Sequence, residues 1–299
     1  MMENDLGALK PERAIRVGQK HGEFSDQNMY WSWGSGLNFG DWIGPYVFKK
    51  LNGHPPLHCG IGRVAPPSSV FFAAGSIFRK IKIPDVAIVW GSGSLHLKTN
   101  PAKPKKTLAV RGPLSQMLLD RSGFEVPETI GDPGICLPLF YRPTAKKLYR
   151  LGIVAHGVDL KFWRSQDLPE DVKLIETDRN IEPVLDDIAA CEFTVSSSLH
   201  GVIESHAYGV PSVWVRPNTG RLVDDDTKFL DYFQSVNMQI NPSDTPRDIT
   251  ANSALDLRSY ASLPDCDMLD MANRLMKCCP FDRSGNVSLL KTKYRQTDS

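Results

Sequence analysis

The stretch SSSLHGVIESHAYGVPSVWV, residues 196–215, sets three hydroxyls before a histidine and a glycine at the mouth of a helical pattern. Ser197 or Ser198 is placed to cap that helix, and His200 falls in its first turn. The N–H groups of a first helical turn lack intrahelical partners and attract anions, so a phosphate or carboxylate fits there. Gly201 would let such a ligand come close to the backbone, with Leu199 and His200 beside it. A bound anion favours the imidazolium form of His200 and suits it to work as a general acid. Glu204, four residues on, shares the helical face of His200 and is placed to orient it or to touch the ligand. His206 lies on a different face and reads as packing.

Other turns carry chemistry as well. In GLNFGDWIG (36–44), Asn38, Gly40 and Asp41 stand between an apolar run and a helix, with Trp42 next in line. Asp41 either favours the helix N-terminus or offers a carboxylate that accepts a proton from a hydroxyl. In VRGPLS (110–115), Arg111 closes an apolar run, where an arginine rarely sits unpaired. Its guanidinium either grips an anionic ligand through paired hydrogen bonds or belongs to a structural ion pair. GIVAHGVD (152–159) ends at His156, a cleft group or a satisfied edge residue. RLVDDDTKFLDYFQSVN (221–237) supplies Arg221 and Lys228, the latter able to reach an anion unless the segment is a plain acidic turn before an amphipathic helix. WGSGS (90–94) lacks the spacing of a phosphate loop. The chain reads as carrying no metal-binding signature and shows no serine elbow, so neither a metal nor a resident cofactor is expected.

The elements that must hold these groups alternate short apolar runs with helical patterns, the mark of an α/β chain with mostly parallel sheets. Strands are expected over 29–33, 69–75, 85–93 and 107–112, with helices over 41–51 and 113–123. A second series follows: strands over 151–156, 172–176 and 192–198, helices over 181–191 and from Leu199 to Gly209, then the strand PSVWV. The spacing predicts two Rossmann-like domains facing a cleft, residues 1–143 and 144–265, with a C-terminal helix and mobile tail over 266–299. In open sheets of this kind, ligands bind beyond the carboxyl ends of the strands.

At 299 residues and 41% hydrophobic content, the chain can bury a sizeable core. No apolar run approaches the roughly 18 residues of a membrane span, and the charged N-terminus does not read as a secretory signal. Six cysteines without a C-x-x-C pair read as reduced thiols in a cytoplasmic protein. The net charge of +1 hides an asymmetry: residues 1–150 carry 20 Lys/Arg and 11 Asp/Glu, the remainder 15 and 23. The basic half, with FRKIK (78–82) and KTNPAKPKK (98–106), is either solvated loop or attracted to an anionic membrane surface. Nucleic acid is disfavoured, because the clusters lack interleaved aromatics and no reader motif occurs.

NFGD (38–41), GSGS (91–94), VRGP (110–113), GDPG (131–134), GIVAHGVD (152–159), the opening stretch and KFLDY (228–232) stand in the order seen in polysaccharide pyruvyl transferases. Over roughly residues 28–240 the chain resembles the bacterial exopolysaccharide branch of that family. The resemblance implies a fold like the two-lobed glycosyltransferase type B and phosphoenolpyruvate as co-substrate. It implies a terminal hexose of a lipid-linked oligosaccharide as acceptor, and a cyclic pyruvate ketal, usually across O4 and O6, as product. It also implies action at the inner face of the plasma membrane. The family's anion-binding arginine would map to Arg111 and its Leu-His pair to Leu199 and His200. Many members carry arginine directly before that pair, where this chain has Ser198; Lys228, Arg216 or Arg221 would then supply the missing cation. Ala155 stands before His156 where the family more often has proline. Two rival readings are a sugar-nucleotide glycosyltransferase of the same fold, with Glu204 on a ribose, and a carbohydrate-binding module stacking sugars on Trp31, Trp33 and Trp42.

Overall fold

The computed structural model describes residues 28–30, 38–58, 69–144, 146–219 and 225–281. Its first sheet holds β1 (Asn28–Tyr30), β2 (Leu57–His58), β3 (Val70–Phe72), β4 (Ala87–Trp90) and β5 (Lys106–Ala109). These run in the order β2-β1-β3-β4-β5, every neighbouring pair parallel. The second sheet holds β6 (Tyr149–Ala155), β7 (Val172–Glu176), β8 (Cys191–Ser196) and β9 (Ser212–Trp214) in the order β7-β6-β8-β9, again parallel throughout. Continuous apolar runs suit strands covered on both faces. Accordingly β3 is buried at every position, and β8 at all but Glu192.

The helices are α1 (Phe39–Asn52), α2 (Pro113–Arg121), α3 (Leu160–Arg164), α4 (Ile181–Ala189), α5 (Leu199–Ala207), α6 (Thr227–Ser235), α7 (Ala251–Leu255) and α8 (Met268–Lys277). Local signals set the ends of α1. The Asn38 side chain accepts from Gly40 N–H at its start, and Gly53, at φ 78°, closes its end by donating to the Lys49 carbonyl. That left-handed turn is one that glycine adopts without steric cost.

The sheets are joined through a shared core. Between them a 3₁₀ segment, Pro133–Leu139, packs on α5 and α8. One apolar cluster runs from Phe39, Ile43 and Trp90 through Leu137 to Val202, Ile203 and Leu275. Each such buried side chain contributes about 1.5–3 kcal/mol. The last described residue, Phe281, packs its ring on Phe48, Phe71 and Trp90, so the C-terminal segment returns to the first sheet. The tail expected beyond Phe281, and Trp31, Trp33 and Arg221, lie outside the described residues.

In both sheets the strand order reverses beside the first strand, between β1 and β3 and between β6 and β8. Such a reversal opens a crevice at the carboxyl ends of the strands, where α/β sheets bind ligands. Asn38 to Asp41 follow β1, His156 follows β6, and Ser197 to His200 follow β8.

Candidate active site

The two crevices meet. Gly40 is the second residue of α1 and His200 the second residue of α5. A Cβ added to Gly40 would lie 2.0 Å from His200 Nδ1, so the histidine ring rests directly on that glycine. Two helices from opposite sheets thus bring their N-terminal turns together, and each presents the positive end of its dipole. The backbone N–H of Phe39 donates to the Thr177 carbonyl at 2.8 Å, tying α1 to the loop after β7. Ser198 is the N-cap of α5, but its side chain makes no capping bond. The first-turn N–H groups therefore lack their usual side-chain acceptor, as an anion site requires.

His200 is 8% exposed, with Nε2 3.6 Å from Asp132 Oδ1. Asp132 is fully buried; Oδ1 accepts from Gly134 N–H at 3.0 Å. Glu204 is fully buried on α5, and burial, with the Asp132 charge next in importance, pushes its carboxyl well above the usual range. His200 Nε2, Asp132 Oδ2 and both Glu204 oxygens are buried without hydrogen-bond partners among the described residues.

On the other wall, Asn38 Nδ2 donates to Asp41 Oδ2 at 3.2 Å. Burial raises the Asp41 carboxyl from 3.8 to about 6, against the opposing pull of His200 and the Asn38 bond. A carboxylate that titrates near neutrality can both take and return a proton. Burial likewise raises Tyr30 at the end of β1; the Asp41 charge adds to this and Arg79 opposes it, which sets an arginine of the basic half beside this wall.

The structure thus assembles Asn38, Asp41, Leu199 and His200, with Ser197 and Ser198 behind them. Ser197 Oγ accepts from the His156 N–H at 3.0 Å, which fixes the loop after β6 against that after β8. His156 itself is half-buried, its Nδ1 accepting from Val158 N–H. Lys228 sits on α6, with Nζ 5.1 Å above the Phe229 ring, and Arg216 pairs with Asp226.

Five expectations are corrected. Neither Ser197 nor Ser198 caps α5 through its side chain. Arg111 takes the structural alternative: fully buried, it donates from Nε to Asp231 at 3.1 Å, from one terminal nitrogen to Ser76 Oγ and from the other to the Ser94 carbonyl. Asp231 also accepts from the Ser115 hydroxyl and N–H, so the guanidinium ties the first sheet to α6. Gly201 faces the sheet, not a ligand: a Cβ there would meet Ser196 Oγ at 2.3 Å and Val154 at 2.6 Å. Trp42 is 4% exposed within the core, so it offers no stacking face. Glu204 has no exposed surface and reaches His200 only through their common neighbour Asp132. His206 packs as expected, stacked on Tyr232 with Nδ1 3.0 Å from its hydroxyl, and burial holds it down to about 3.

Asp132 was not among the candidates. Its signal was the GDPG turn, in which an aspartate between glycine and proline caps the 3₁₀ segment that follows.

The described residues form an α/β protein of two parallel sheets, with paired helix N-termini, a histidine and a titrating carboxylate where the sheets meet. The family model of polysaccharide pyruvyl transferases matches residues 61–219, just over half of the chain. The chain belongs to that family. It is also 30% identical over 190 residues to an uncharacterized protein of Acanthamoeba polyphaga mimivirus, an alignment covering 60% of this chain and 65% of that protein. The chain thus spans somewhat less than two thirds of the length of that relative.

Proposed function

We propose that the protein transfers pyruvate from phosphoenolpyruvate to two hydroxyls of a terminal hexose in a polysaccharide repeat unit, forming a cyclic 4,6-ketal and releasing phosphate. The observation that carries this reading is the meeting of the α1 and α5 N-terminal turns at Gly40 and His200. A trianionic substrate is favoured by two helix N-termini. His200 delivers a proton to the methylene carbon, which makes C2 electrophilic. One sugar hydroxyl bonds to C2 as Asp41 takes its proton. The second hydroxyl then displaces phosphate at C2, and its proton leaves with the phosphate. Acid–base placement of this kind contributes about 10²–10⁴-fold in rate. Asp132 holds the His200 ring.

The two sheets, with their crevices facing, fit a glycosyltransferase type B-like pair of domains. The acceptor is a lipid-linked oligosaccharide, met at the cytoplasmic face of the plasma membrane by the basic first half. No helix among the described residues is long and apolar enough to cross a membrane, so contact would be peripheral. Neutralising Arg79, Lys80 and Lys82 should abolish binding to anionic vesicles; undiminished binding would leave a water-soluble acceptor.

The test is thermal stabilisation by phosphoenolpyruvate against a panel of UDP-, GDP- and CMP-sugars, on wild type and His200→Ala. A ligand at 100 times its Kd stabilises the native state by about 2.7 kcal/mol. A shift with phosphoenolpyruvate, and loss of phosphate release in a folded His200→Ala, is the expected result. A shift with a sugar nucleotide alone would overturn the reading in favour of a glycosyltransferase.

A further inference from the structure

A second cavity lies away from the meeting of the helices, at the outer edge of the second sheet. Strand β9 has β8 on one side and, among the described residues, only a single bridge on the other, Ser212 to Ser262. Beside it a cavity of about 510 Å³ is walled by β9, Phe233 of α6, the stretch from Met238 to Pro246 and residues near Tyr260. A neighbouring hollow of about 400 Å³ shares Phe233 and the segment Met238–Asn241 with it. Together they have the volume of a small-molecule site.

The lining specifies the ligand. Among the described residues it contains no lysine, arginine or histidine, and its one charged side chain is the carboxylate of Asp244. An anionic donor is therefore unsuited to it. The one exposed aromatic face is that of Tyr260, with only the rims of the nearly buried Trp214 and Phe233 in the wall, and amides that both donate and accept come from Gln239 and Asn241. The Trp214 ring is stacked on Phe229 at 4.4 Å and 17°, which holds it in place. The exposed face of Tyr260 combined with amides and hydroxyls matches a pyranose ring, with C–H faces and a rim of hydroxyls.

The cavity is also coupled to the chemistry by position. Trp214 is registered with Ser196 on the adjacent strand, and Val215 N–H donates to the Ser196 carbonyl. Helix α5 with His200 begins three residues after Ser196, and neighbouring strands lie about 4.8 Å apart. We infer that this cavity is a subsite for a neutral, hydroxyl-rich sugar unit of the polysaccharide substrate, separate from the place where pyruvate is transferred. The inference rests on the reading of the substrate as a glycan, but not on phosphoenolpyruvate as donor. Binding of a remote unit can be drawn on to position the reacting one.

The experiment follows the indole N–H resonances of the ¹⁵N-labelled protein on titration with neutral gluco-, galacto- and manno-oligosaccharides, without donor. Trp214→Phe identifies the Trp214 signal while keeping an aromatic ring. Tyr260 is 72% exposed, so Tyr260→Ala and Asn241→Ala remove cavity contacts with little risk to folding. A saturable shift of the Trp214 signal by at least one oligosaccharide, weakened about tenfold in both alanine variants and unchanged in His200→Ala, is expected. No Trp214 shift with any member of the panel, or a shift equally strong in both alanine variants, overturns the subsite. If the oligosaccharide binds here while phosphoenolpyruvate neither binds nor reacts, the subsite stands and the pyruvyl-transfer reading falls. If phosphoenolpyruvate reacts and Trp214 stays silent, the subsite alone falls.

Discussion

Replacing Gly40 with alanine adds one methyl group, and the structure says where it would go. The new Cβ would lie 2.0, 2.6 and 2.9 Å from Nδ1, Cγ and Cε1 of His200, whereas ordinary contact begins near 3.4 Å. The imidazole must therefore retreat by about 1.4 Å at Nδ1, because α5 cannot yield: Gly201 is already in close contact with Val154 and Ser196. Swinging the ring changes its 3.6 Å approach to Asp132 and removes it from the mouth of the helix. A misplacement of this size costs about 10²-fold in rate, equivalent to about 2.7 kcal/mol of barrier. The fold should suffer less. Overpacking costs about 1–3 kcal/mol, offset by the roughly 0.5–1 kcal/mol that alanine gains over glycine in a helix. The assay pairs urea melts with the His200 ring resonances and with phosphate release from phosphoenolpyruvate. Expected are a folded protein, displaced His200 signals and about 1% of the wild-type rate. Unchanged His200 resonances together with an undiminished rate would refute the claim that Gly40 forms the seat of the histidine.

Two further outcomes follow from charges elsewhere in the site region. Arg111→Ala or Asp231→Ala leaves one charge of a fully buried pair alone and should lower stability by about 3–5 kcal/mol in denaturant melts; a midpoint equal to that of wild type would show that the pair ties nothing together. For Asp41, the folded carboxyl titrates near 6 and the unfolded one near 3.8, so the fold favours the protonated form. The ionised group then destabilises the fold, not at all well below pH 3.8 and fully above pH 6, by about 3 kcal/mol. Asp41→Asn should thus gain about 2 kcal/mol more over wild type at pH 7.5 than at pH 4.5. An equal difference at the two pH values would remove Asp41 from the buried wall.

Much of this was legible in local sequence. Apolar runs located the strands β3 to β9 within a few residues, most readily β3, β8 and β9, which are buried at nearly every position and need little partner information. The helix starts at Asn38 and Ser198, and with them the placing of Asp41 and His200, followed from composition within one turn. Residue type at a strand end, however, does not say which way a side chain faces. Arg111 could have pointed into a cleft; only packing brought Asp231, 120 residues away, to meet it. Gly201 and Gly40 are alike in sequence, each beside the start of a helix. The fold sets one against a strand and the other against an imidazole from the opposite sheet. Trp42 was ambiguous for the same reason, since an aromatic serves a core or a cleft equally well until the second layer is in place. Asp132 and Glu204 show the limit most plainly. Their burial beside His200 arises where the 3₁₀ segment meets α5, and the desolvation that raises the Glu204 carboxyl comes from atoms far away in the chain. The sequence by itself determined the elements and the residue types at their ends, because those depend on neighbours a few positions away. The tertiary structure decided which of those ends face one another, because burial and electrostatic environment are sums over the whole fold.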